Sequence, residues 1–123
     1  LKRIDNIHGV EEFLYSKEIS VAGQCDCIAE YKGKLSIIDF KSSSKQRDED
    51  YNYANFLQTS AYAKMYEEIY PQHIIEQTVV LTACADGFVQ EWIHGKDKIK
   101  EHQEKFYGHT QDFLKRTKEF WNK

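Results

Sequence analysis

The sequence predicts a mixed α/β fold, one central β-sheet flanked by helices, and three features carry that expectation. Three strand-like segments, a helix, two strands and a second helix follow one another in that order, which suits a sheet with helices packed on it. An apolar run from Leu35 to Lys41 follows a Lys-Gly turn, the mark of a β-hairpin. Residues 51–69 then repeat their apolar positions with a helical period. At 123 residues and 14.5 kDa the chain holds one compact domain, 1–123, with a small core.

In chain order, residues 10–16 are rich in strand formers, and Ile19 to Tyr31 reads as a second strand. Lys32-Gly33-Lys34 turns the chain into Leu-Ser-Ile-Ile-Asp-Phe-Lys, the clearest strand. The polar stretch Ser42 to Asp50 is a loop. Ala54, Leu57, Ala61, Tyr62 and Met65 mark one face of an amphipathic helix that Pro71 ends. Ile74 to Ala83 is a strongly apolar strand, Asp86-Gly87 a turn, and Phe88 to Ile93 its hairpin partner. Residues 96–121 form a long helix. Its stripe of Ile99, Phe106, Phe113 and Phe120, flanked by Tyr107, Leu114 and Trp121, is expected to dock on the sheet rather than build a coiled coil.

Composition removes several classes. No apolar run approaches the roughly 20 residues of a membrane-spanning helix, and one proline among 123 residues excludes proline-rich disorder. The net charge of −3 is not the footprint of a strongly basic nucleic-acid binder. Charge is nonetheless uneven: residues 31–47 hold Lys32, Lys34, Lys41, Lys45 and Arg47 against the single acid Asp39. Cys25, Cys27 and Cys84 are an odd and poorly spaced set for disulfides, read as small buried residues in an intracellular reducing compartment. His8, His73, His94, His102 and His109 lack ligand spacing and take no role. Lys45 and Arg47 suit backbone phosphate or plain solvation, and the aromatic stretch from Tyr51 to Phe56 suits base stacking or core packing.

Asp39 and Lys41 stand two apart on one strand, so their side chains share a face. A carboxylate and an ammonium on an apolar strand need each other, a metal or a phosphate to offset desolvation. Asp26 and Asp39 lie nearly equidistant from Gly33, so the hairpin could set their carboxylates side by side. Paired carboxylates without a His or Cys cluster suit a hard cation, Mg²⁺ or in its place Mn²⁺, better than zinc. Such an ion can clamp a phosphate oxygen and provide a nucleophile, with Lys41 as a point charge beside it.

These residues sit in a wider pattern. Gly23-Gln24-Cys25-Asp26, the Gly33-Lys34 turn, Ile38-Asp39-Phe40-Lys41-Ser42 and Gln58-Thr59-Ser60-Ala61-Tyr62 together resemble the PD-(D/E)XK nuclease superfamily, most closely its RecB-type phage and mitochondrial exonucleases. The likeness covers about residues 10–93. It implies a restriction-endonuclease-like core whose usual first helix would precede Leu1, so that the chain reads as an N-terminally truncated fragment. It implies Asp26, Asp39 and the Phe40 carbonyl as metal ligands, Lys41 as the catalytic lysine, and Gln58 and Tyr62 as positioning groups. Val10 to Ser16 matches the family's upstream stretch and sets Glu11 at its acidic position; Glu12, or a residue before Leu1, is the alternative. The activity implied is Mg²⁺-dependent hydrolysis of DNA, single-stranded or at ends, leaving a 5′-phosphate. The implied setting is a phage-infected or bacterial cytoplasm, or a mitochondrial matrix, in recombination, repair or DNA turnover. The alternatives are a non-cleaving DNA- or partner-binding domain and a structure-specific endonuclease; too few cysteines are present for an iron–sulfur relative.

Overall fold

A computed structural model describes residues 3–121, with side chains described through residue 112. Its elements are β1 (Ile4–Ser16), β2 (Val21–Tyr31), β3 (Lys34–Ser43), α1 (Glu49–Ile69), β4 (Gln77–Cys84), β5 (Val89–Gly95) and α2 (Lys96–Trp121). The five strands form one sheet in sequence order. β1, β2 and β3 are antiparallel neighbours, β4 lies parallel to β3, and β5 returns antiparallel beside β4. The parallel step requires a long crossover, and α1 provides it.

Local chemistry explains most boundaries. Lys32 and Gly33 both have positive φ (52° and 85°), so a two-residue turn joins Tyr31 to its partner Lys34. Such a turn matches the twist of a hairpin and holds its register. Asp48 caps α1 by accepting the Tyr51 amide, and Glu49 and Asp50 put negative charge at the positive helix end. At the other end the Tyr70 amide bonds the Tyr66 carbonyl just before Pro71.

Several elements depart from expectation. β1 starts at Ile4 rather than residue 10. A register shift between Asp5 and Gly9, with Asn6 at φ 45°, breaks the alternation that marks a strand. β2 starts at Val21, because Ile19 sits in the preceding turn as a buried anchor whose amide bonds Ser16 Oγ. β4 starts at Gln77: Ile74 is exposed, and the Ile75 amide is taken by the Glu67 carboxylate. α1 is not simply amphipathic. Thr59 through Ala63 are all buried, whereas Ala54 is exposed, because the helix is enclosed by the sheet on one side and α2 on the other.

The core has two parts on opposite faces of the sheet. One joins Leu14, Cys25, Ile28 and Ile37 to Ala61, Tyr62, Met65 and Tyr66 of α1 and Ile99 of α2, with Phe106 packed against it. The other is built of strand residues: Cys27, Ala29, Tyr31, Ile38, Val79 and Leu81. Both helices therefore cover the Ile37 face. Across the other face Glu91 of β5 accepts hydrogen bonds from Arg3, Tyr31 and Lys32. Of the α2 stripe, Ile99 is buried and Tyr107 exposed; the side chains of Phe113, Leu114, Phe120 and Trp121 lie outside the described residues. All three cysteines are buried free thiols.

Candidate active site

The hairpin register does the first work of assembly. Cys27 pairs with Ile38, which carries Asp26 to the position beside Asp39 at the end of the ladder. Asp26 Oδ2 accepts the Phe40 amide at 2.9 Å, so its carboxylate is tied to the Asp39–Lys41 strand. Asp39 is 5% exposed on the α1 face, and Lys41 reaches its Oδ2 at 3.2 Å. That oxygen is buried and receives no well-aligned hydrogen bond; the ammonium is close without satisfying it.

Electrostatics follow from this crowding. Burial first, and then the Asp26 carboxyl, push the Asp39 carboxyl up to about 6 against the opposing charge of Lys41. The Tyr62 hydroxyl is raised by burial, then by Cys25 and the two aspartates. Burial likewise pushes the Cys25 thiol up to about 12. A buried thiol of this kind is inert packing beside the acids.

α1 supplies the next layer. Gln58 and Tyr62 are one turn apart, and Gln58 Nε2 donates to Tyr62 Oη at 3.0 Å. Gly23 lets the Tyr62 ring lie against β2, since a Cβ there would stand 2.8 Å from Tyr62 Cε1. Asp26, Asp39, Lys41, Gln58 and Tyr62 thus converge.

The upstream acids divide. Glu11 sits between the register pairs Val10–Cys27 and Glu12–Cys25, across from Asp26, exposed and with φ 50°. Its carbonyl accepts Gln24 Nε2. The Glu12 side chain folds over Gly9 and lines a separate cavity with His8 and His73. Phe40 meets the site through its amide, while its ring is half exposed.

Some groups near the site had no legible role. Arg47 stacks on Tyr51, its carbon Cζ 4.5 Å from the ring centre, and its Nε bonds Ser43 Oγ. Gln90 holds the Arg47 backbone from both sides, accepting from its amide and donating to its carbonyl. The loop position of Arg47 was readable, but no spacing announces Gln90. The scattered histidines also gather, His8 with His73 and His94 with His102. Among the described residues no group of three or more His, Cys, Asp or Glu side chains is arranged to hold a metal ion.

The two acids fit a divalent cation through different evidence. Asp26 and Asp39 offer hard oxygen donors, Asp26 disfavours the charge on Asp39, and Asp39 Oδ2 is a buried acceptor that Lys41 approaches without a well-aligned hydrogen bond. A strand that ends in an acid and a lysine, paired to a second acid and roofed by a helix, defines a nuclease core of the restriction-endonuclease-like class. Residues 3–119 match the PD-(D/E)XK nuclease superfamily, and the chain belongs to it. Mitochondrial genome maintenance exonuclease 1 of Mus musculus is 38% identical over 63 residues, half of this chain and 19% of that protein. Its Homo sapiens counterpart is 36% identical over 47 residues, 38% of this chain and 14% of that protein. The matched stretch thus spans under a fifth of each relative's length. A crystal structure from Eubacterium rectale, named as a candidate exonuclease, superposes with a TM-score of 0.62 over 92% of this chain and 46% of that one. At 10% identity that likeness is one of fold.

Proposed function

We propose that this nuclease domain is a divalent-metal-dependent DNA exonuclease acting on single strands or ends, with Mg²⁺ as its ion and Mn²⁺ as a substitute. The observation that carries the reading is the Asp26–Asp39 pair, Asp39 buried and Asp26 partly exposed, with Lys41 at 3.2 Å from Asp39 Oδ2. Asp26 and Asp39 would hold the ion, with Glu11 as the upstream acid and the Phe40 carbonyl as a further ligand. When bound, the ion supplies Lewis acidity toward a phosphate oxygen and toward water.

The chain's own residues supply the rest. Lys41, about one-third exposed, holds a fixed positive charge where negative charge grows on the phosphate during hydrolysis. Gln58 anchors the Tyr62 hydroxyl, and Tyr62 closes the site over the two acids. The walls that bury Asp39 keep bulk water from screening these charges. The names of the two mitochondrial relatives favour exonuclease action on DNA.

The test is degradation of end-labelled single-stranded DNA in Mg²⁺ or in EDTA. Metal-dependent loss from one end, abolished by Asp39→Ala, is the expected result. Lys41→Ala should retain the stabilisation of the fold by Mg²⁺ yet lose about a hundredfold or more in turnover. Cleavage by Lys41→Ala at the parent's rate would refute its role. Internal cuts would replace exonuclease with endonuclease, and metal binding without any cleavage would leave a DNA- or partner-binding domain.

A further inference from the structure

A second cavity adjoins the candidate active site and shares one residue with it. It encloses about 730 Å³ between the start of β2, the first half of α1 and α2. Gln58 stands in its wall, and the same Gln58 amide nitrogen bonds Tyr62 over the two aspartates. The cavity therefore opens one side chain away from Tyr62 and the two aspartates.

Its chemistry is mixed in a particular way. Ala22 of β2, Ala54 of α1 and Phe106 of α2 make apolar and aromatic walls. Gln58 and Asn55 add amides, each with one N–H already given, to Tyr62 Oη and to Asn52 Oδ1 at 3.3 Å, which leaves one N–H and a carbonyl oxygen for the edge of a ligand. His109, exposed on α2, adds a flat ring at the rim. Among the described residues no Lys or Arg lines the cavity. The cations nearest the catalytic strand in sequence, Lys41, Lys45 and Arg47, belong to the end of β3 and the loop after it.

Apolar walls with a few amide edges suit an uncharged heterocycle better than a phosphate. We propose that this cavity is a nucleobase subsite. The base of a nucleotide beside the scissile bond enters it, while its phosphates stay with the metal ligands and Lys41. The inference rests on the nuclease reading of the neighbouring site and adds a contact that the acids and lysine cannot make. A sugar–phosphate chain without a base would then be held poorly at one position.

The test is a scan of single-stranded oligonucleotides carrying one abasic nucleotide at successive positions, with binding read by fluorescence anisotropy in Ca²⁺ buffer. One position near the bound end should weaken binding about five- to a hundredfold, the range of a stacked base. Ala54→Trp fills the cavity from an exposed position and should erase that position's penalty. His109→Ala, also at an exposed position, should reduce it several-fold, and it serves if the bulkier variant disturbs folding. A flat scan, or an undiminished penalty in both variants, overturns the subsite. Mg²⁺-dependent cleavage of the intact oligonucleotide is read in parallel. Cleavage with a flat scan refutes the subsite and leaves the nuclease; a cavity-dependent penalty without cleavage refutes the exonuclease reading and leaves the subsite. No binding of any oligonucleotide overturns both.

Discussion

Asp39 concentrates the conflict between stability and activity in one carboxylate. Its folded-state titration at about 6 lies above the ordinary aspartate value, so the folded state holds a proton that the unfolded chain has lost. Stability from this group is complete below about pH 4 and falls as pH rises through 6. Above that, the ionised carboxylate, buried and beside Asp26, costs about 3 kcal/mol. Asp39→Asn should therefore raise the metal-free melting temperature at pH 8 and change it little at pH 4. Mg²⁺ should stabilise the parent at pH 8 and leave the variant unmoved. Thermal melts in EDTA and in Mg²⁺ at both pH values check this; a variant less stable than the parent at pH 8 would show that the Lys41 ion pair outweighs the repulsion. The Asp26–Asp39 juxtaposition was legible because a two-residue turn sets hairpin register and register sets neighbours. The left-handed backbone at Glu11 was not, since no glycine or asparagine marks it.

Between elements, the Tyr62 ring of α1 lies against the backbone of β2 at Gly23. Gly23→Ala would force its new methyl group against the Tyr62 ring, which must shift away from the acids. The expected outcome is a melting temperature lowered by a few degrees and turnover lowered by about tenfold or more, a larger loss than stability explains. Equal turnover in the variant would show that Tyr62 is packing alone. The dock of α2 behaves differently because it is built around histidines. His102 is 4% exposed, its Nδ1 is without a partner, and it packs against Tyr53, Phe56 and His94. Burial lowers both histidines, and their mutual repulsion lowers His94 further; Lys98 adds to this, and Glu49 opposes it in both. A lowered histidine means that the unfolded chain takes the proton first. Its stability contribution is present above about pH 6.5 and is lost as pH falls below that value. His102→Phe keeps the ring packing without the charge and should reduce the loss of stability between pH 7 and pH 5, as read by urea titration. Asp39 acts in the opposite sense over this window, so the comparison is between variant and parent. A pH dependence identical in both would exclude His102 as its source.

At the scale of the molecule, Glu91 gathers Arg3, Tyr31 and Lys32 and ties β5 to the β1–β2 side of the sheet. The Tyr31 hydroxyl, ahead of the two cations, holds the Glu91 carboxyl below its usual range. Glu91→Gln should lower the melting temperature modestly, with the difference shrinking in high salt as the ion pairs are screened. A salt-independent difference would assign the effect to the neutral Tyr31 bond. The order of elements along the chain, the β2–β3 hairpin, the helix after it and the Asp26–Asp39–Lys41 set could be read from the sequence alone, because each depends on local period, turn chemistry or a register one hairpin long. Other features belong to the tertiary structure. The sequence scatters the five histidines, yet folding packs His94 edge-on against His102 across β5 and α2. Ala54 reads as a core position by its period, yet it faces a cavity because α2 covers another side of α1. Gln58 reads as a partner of Tyr62, and only the fold sets it at once on the Tyr62 hydroxyl and in the wall of the neighbouring cavity. The physical reason is separation along the chain: contacts within a turn or a hairpin follow from local geometry, whereas contacts between α1, α2 and the sheet exist only after loops of tens of residues have closed.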